Sequence, residues 1–278
     1  MVAIAWRLAG REAALLALLL AVAGVPAYQQ FTPGRIDHHN VQIAVTMLTL
    51  AATVWADRAA WSAIAAGALT GLGLAIGFEG LPYLAMCGAA FALRYIVDAQ
   101  STDMMRRYGW ALAASTLAAF LASVDPSHWT RSLCDNIAFN SAAAVVAGGI
   151  VLAVAGSFPS RNAVMRAAAM AAAMAVSLAI LIAAEPQCLA GPYAMVDPAI
   201  WPIWLADVRE NQPLLHVLSE NPLTGVAIAA FPMAALVASL MLARDDMYRS
   251  QFVFLATAAV FLLAVATMIL AIRAYSYA

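Results

Sequence analysis

The sequence predicts an all-α polytopic transmembrane bundle of about nine spans, and three observations predict it. Apolar residues make up 65% of the chain and charged residues only 10%, whereas a soluble domain is nearer half apolar and a quarter charged. The apolar residues fall in blocks of roughly twenty, the length a helix needs to cross the hydrocarbon. The blocks are continuous and rich in Ala and Leu, without strict alternation, so helices rather than a closed barrel satisfy the backbone in lipid. A net charge of −1 argues against nucleic acid as a partner. The basic residues are all Arg, to which no function is attached.

The predicted spans lie near 13–29, 40–56, 59–78, 81–97, 108–124, 141–157, 163–184, 223–243 and 251–272. They form a single transmembrane domain over 1–278, with outer loops at about 30–39, 125–140 and 185–222. Arg7, Arg11, Arg58, Arg94, Arg106, Arg107, Arg161, Arg166, Arg244 and Arg249 fall on one side, and only Arg35, Arg131, Arg209 and Arg273 on the other. The positive-inside rule makes the first side cytoplasmic, with the N-terminus inside and the C-terminus outside. His38, His39, His128 and His216 then all stand at the outer face. Asp37, Glu79, Asp125, Asp135, Glu185, Asp197, Asp207, Glu210 and Glu220 join them there. Wetter outer loops would give the same segregation.

Arg7 and Arg11 precede the first apolar run, and Val25-Pro26-Ala27 imitates a signal-peptide cleavage site. Eight further spans favour an ordinary first helix or signal anchor. Gly67 with Gly71, and Gly73 with Gly77, have the four-residue spacing that lets helices approach closely, and packing within the chain is favoured over dimerisation. Cys87 lies in an apolar block and is read as packing, while Cys134 and Cys188 fall in outer loops, where they can bridge or stay free. The connection 185–222 holds Pro186, Pro192, Pro198, Pro202 and Pro213, with Trp201 and Trp204. Loops of that length are often functional, and its aromatic and Leu residues suggest that it lies on the membrane surface.

Two polar islands carry the chemistry. The first is Gly34-Arg35-Ile36-Asp37-His38-His39, at the start of the second span. Asp37 can cap the helix, but a cap leaves two imidazoles beside an Arg unexplained. Asp37 and His39, one residue apart at a bend, can converge on one cation, with Mn²⁺ or Zn²⁺ suiting carboxylate plus imidazole and Mg²⁺ suiting carboxylate with water. Soluble phosphoesterases share the string Asp-His-His, but the hydrophobic context excludes them. The second island is Asp207-Val208-Arg209-Glu210-Asn211-Gln212-Pro213, followed by His216 and Glu220. By itself it reads as a solvated amphipathic loop.

Together the islands resemble the catalytic subunit of oligosaccharyltransferase, above all its archaeal branch, in the GT-C class of membrane glycosyltransferases. That family carries an Asp-x-His type motif at the start of a helix in an outer loop, as Asp37-His38-His39 does here, and about six spans later a mobile outer loop with an essential Glu in a Glu-x-Gln-Pro context, matched by Glu210-Asn211-Gln212-Pro213. The resemblance covers roughly 30–245. It implies a GT-C-like fold and a glycosyltransferase that moves a sugar or oligosaccharide from a polyprenyl-phosphate donor at the outer face of a bacterial inner (plasma) membrane. The lipid-linked saccharide donor and membrane lipids are then the partners. It implies Asp37 and Glu210 as catalytic residues, Asp37, His39 and Glu210 as ligands of a divalent metal (Mn or Mg), and Arg35 and Arg209 as partners of the donor phosphate. The family's earlier acidic loop motif has no match before residue 13, and its C-terminal soluble domain with a Trp-Trp-Asp signature is missing. The chain is therefore expected to be a core lacking both ends, with Glu79 a weaker candidate for the first acid. A transporter or flippase-type carrier and a non-catalytic membrane scaffold are the alternatives.

Overall fold

A computed structural model describes residues 1–23, 31–34, 38–158, 160–204, 208–249 and 251–277. The long helices are α1 (Val2–Ala23), α2 (His38–Trp55), α3 (Ala60–Ile76), α4 (Leu81–Val97), α5 (Thr102–Ser123), α6 (Phe139–Ser157) and α7 (Ala163–Ala184). They continue, after connecting turns, with α8 (Leu214–Glu220), α9 (Pro222–Leu242), α10 (Asp246–Arg249) and α11 (Phe252–Leu270). No strand occurs among the described residues, so the protein is all-α. Over the described residues each predicted apolar segment falls on one of these helices, and 24–29 of the first lie outside them. Among the described residues five are long and apolar enough to cross a membrane: Phe78–Val97, Phe139–Ser157, Ala163–Ala184, Pro222–Leu242 and Phe252–Leu270, with Ala60–Ile76 a shorter apolar helix.

Polar residues explain why other helices fall short. Arg7, Arg11 and Glu12 interrupt α1, and it breaks at Ala9–Gly10, where Gly10 takes φ +81, a conformation that costs glycine alone little. Along α2, Gln42, Thr46, Thr49 and Thr53 recur at helical spacing and are all fully buried. The hydroxyls of Thr49 and Thr53 donate to the carbonyls of Val45 and Thr49, each at 2.8 Å. The start of α5, at Thr102 rather than near 108, corrects the expected boundary. Asp103 in its first turn pairs with Arg106 and with Arg107 (2.5 Å to the latter), and a carboxylate there complements the helix dipole. An apolar run cannot reveal such a polar extension.

The chain divides into two compact units, Ala44–Met195 and Met1–Ile43 with Val196–Ala278. In the first, α5 packs against both α3 and α6, and α6 against α7. Glycine makes these crossings close. A Cβ on Gly71 would stand 2.8 Å from the Thr116 amide, and one on Gly109 would stand 2.5 Å from the Ala153 amide and 2.6 Å from the Gly149 carbonyl. The expected internal role of the α3 glycines is thus met for Gly71, and for Gly67, whose Cβ would lie 2.9 Å from the Leu112 amide. Phe91, Tyr95, Met105 and Tyr108 fill the core between these helices, with the Phe91 and Tyr108 rings stacked 4.3 Å apart. In the second unit α8 packs on α9 and α11, and Leu214, Met268 and Ala274 share a core.

Candidate functional site

The helix that carries the first island begins at His38, two residues before the predicted start of that span near 40. His38 is exposed and His39 half-buried. Adjacent positions on a helix diverge by about 100°, yet here the two imidazoles stack with ring centroids 4.3 Å apart. Four ring nitrogens are thereby concentrated at one helix end. Arg35 and Asp37 lie outside the described residues. The turn at 57–59 reverses the chain, with the Ala59 amide donating to the Trp55 carbonyl at 3.1 Å. Val45 of α2 then lies against Gly73 of α3, and the two helices run antiparallel. Glu79 sits three residues beyond α3 in the short turn Phe78–Gly80, half-buried.

The connection 185–222 holds regular turns. Proline and carboxylate caps build successive turns. Glu185 accepts from the Gln187 amide at 3.3 Å and Asp197 from the Ala199 amide at 2.9 Å, opening the turns Pro186–Ala190 and Pro198–Ile203. Cys134 and Cys188 are disulfide-bonded with Cα atoms 5.0 Å apart, which decides the alternative left open by the sequence. The bridge ties the loop before α6 to the turn after α7, and Asn140 braces it. Its amide nitrogen donates to the Leu133 carbonyl at 3.0 Å and approaches Cys188 Sγ at 3.4 Å. In the 125–140 loop the Ser127 hydroxyl and amide both donate to Asp125, and they hold its carboxyl below the usual carboxylate range.

Glu210 stands half-buried in the turn Arg209–Asn211. The Asn211 amide donates to the Val208 carbonyl at 2.9 Å, and the Ile272 amide donates to the Gln212 carbonyl at 3.0 Å. The second island is therefore fastened to the segment after α11, and Leu214 just beyond it is buried. His216 and Glu220 pair at 3.3 Å on the exposed face of α8. Asp207 lies outside the described residues. The structure thus joins His38 to His39 and His216 to Glu220. Sequence reasoning missed the fastening at Ile272 and the brace at Asn140. Its only signal for the latter was an Asn at the head of an otherwise apolar helix.

No protein family, curated protein or solved structure matches this chain. Its own chemistry carries the functional reading. Paired imidazoles at a helix end are groups that could hold a divalent cation. A carboxylate on a fastened turn supplies a second polar group of opposite character.

Proposed function

We propose that this chain is a GT-C-like membrane glycosyltransferase of about nine spans, its N-terminus cytoplasmic, moving a sugar or oligosaccharide from a polyprenyl-phosphate donor at the outer face of a bacterial inner membrane. The observation that carries the reading is the stacked pair His38 and His39 at the head of α2, directly after Asp37. The disulfide between Cys134 and Cys188 supports the orientation, because such bonds persist in oxidising compartments. It argues that the 125–140 and 185–222 loops, and with the latter Glu210, belong outside.

Asp37, His39 and Glu210 would hold the metal, with His38 beside them, and the bound cation would supply neutralisation of charge on a leaving phosphate. Arg35 and Arg209 would pair with phosphate oxygens through the planar guanidinium fork. Where it does not ligate the metal, Glu210 would instead polarise the acceptor nucleophile, from a turn held at Gln212. One observation favours a carrier instead, the buried polar face of Gln42, Thr46, Thr49 and Thr53. The hydroxyls of Thr49 and Thr53 are bonded back into their own helix, which leaves them less to offer a solute.

The test is transfer in proteoliposomes with isoprenoid-linked saccharide and Mn²⁺, followed through release of the lipid phosphate. Wild-type protein should release it, and Glu210→Gln should remain folded while losing about 10²-fold or more in rate. Unchanged release in Glu210→Gln removes this role for the residue. Solute counterflow without release identifies the carrier.

A further inference from the structure

The turn Pro198–Ile203 and Trp204 after it expose all their large side chains. Trp201 and Trp204 are each 45% exposed and Ile203 is 75% exposed, with Ile200 beside them. No charged residue occurs from 198 to 204. Asp197 precedes the turn and is engaged in capping it. Pro198 and Pro202 restrict the backbone, so the apolar side chains are presented by a segment with little freedom to fold them away. In water, such a patch of Ile and Trp has no compensation for its exposed area.

We infer that Pro198–Trp204 is an interfacial anchor, seated in the headgroup region of the membrane with its two indoles at the boundary. The occupant of this surface is lipid, for three reasons. The pair is Trp, whose apolar ring and N–H donor suit the boundary between hydrocarbon and water, where it is enriched at membrane surfaces. The same unit contains α9, a helix apolar enough to span, of which only 11% is buried within the protein. Leu223 on its first turn is among the most exposed apolar residues described, so the end of this candidate span offers apolar area that lipid would cover. Finally, the connection holding the turn runs between two candidate spans, α7 and α9, which would bring both of its ends to a membrane.

The anchor has a consequence for the proposed chemistry, and that consequence rests on the transferase reading. Glu210 follows Trp204 by six residues, which can reach at most about 20 Å. Seating the indoles at the interface therefore holds Glu210 close to the depth at which a lipid-linked phosphate presents itself.

The experiment places a nitroxide at Ile203→Cys in full-length protein reconstituted into phosphatidylglycerol and phosphatidylethanolamine nanodiscs. Cys87 is buried and Cys134 and Cys188 are bridged, so labelling is specific. Relaxation by dissolved oxygen should exceed relaxation by an aqueous nickel chelate. In the same background, Trp201→Ser with Trp204→Ser should reverse that order. Greater relaxation by the nickel chelate in the parent overturns the anchor in favour of a solvated loop. Poor access to both relaxants overturns it in favour of a protein cover, such as a second copy. Because the readout involves no turnover, a failed transfer assay leaves the anchor standing, and a solvated Ile203 leaves the transferase standing.

Discussion

Arg166, on the first turn of α7, donates from Nε and Nη2 to the carbonyl of Ile96 at 3.2 and 2.8 Å. Ile96 is in the last turn of α4, where carbonyls lack intrahelical partners. A third bond, at 2.5 Å, runs from Nη1 to the Ser160 carbonyl, and the side chain is buried. One planar guanidinium thus closes the end of α4 and the entry to α7 together. Arg166→Met would leave those carbonyls unpaired, and hydrogen bonds to charged groups contribute about 1.5–3 kcal/mol each. A loss of about 3 kcal/mol or more is expected, read as a lower Tm in detergent. Arg166→Lys should recover only part of it, because an ammonium lacks the fork. An unchanged Tm in Arg166→Met would return Arg166 to a mere topology signal.

Gly109 and Gly149 meet backbone to backbone where α5 crosses α6. A Cβ on Gly149 would lie 2.9 Å from the Gly109 carbonyl and 3.0 Å from the Ala113 amide. Backbone cannot yield as a flexible side chain would, so the helices must separate. Gly109→Val should cost about 3 kcal/mol and lower the fraction of monodisperse protein on size exclusion. Leu117→Val, at an exposed position of the same helix, should stay near wild type. Equal behaviour of the two variants would mean that α5 and α6 slide apart freely.

The helices were legible in the sequence because apolar length is itself the requirement for a helix in lipid. Boundaries failed where polar residues extend a helix, as Asp103 with Arg106 and Arg107 extend α5. Gly67 and Gly71 were legible as a spaced pair, but Gly109 and Gly149 stand on different helices, so no single stretch of sequence reveals their meeting. The same limit governs Cys134 and Cys188, 54 residues apart, since a bridge needs the intervening hairpin of α6 and α7 to bring its ends together. His38 and His39 were legible as neighbours, though not as a stacked pair. The bond from Ile272 to Gln212 was hidden because its segment reads as the end of an apolar run.

The bridge makes the proposed orientation measurable. In intact spheroplasts Cys134 and Cys188 should be unreactive to an impermeant maleimide until an impermeant reductant is added, and should then react without disruption of the membrane. The same reagent should label single cysteines placed at His38 and Glu210. Labelling of any of these only after lysis would invert the topology.

Metal binding by the first island separates a site from a helix cap. If Asp37 and His39 hold Mn²⁺, purified protein should gain thermal stability with added metal, by RT ln(1 + [L]/Kd), about 2.7 kcal/mol at a hundredfold excess over Kd. His38→Ala should weaken the gain, since the stacked ring is lost as donor and as support for His39. Asp37→Ala and His39→Ala should abolish it. His128→Ala should keep it, because His128 lies in a different connection, in the turn Pro126–His128. Metal binding also requires neutral imidazole, so protons compete with the metal and the gain should be smaller in acid. Equal stabilisation of wild type and both variants would leave Asp37 with the task of meeting the free amides of α2, and the histidine pair with none in metal binding.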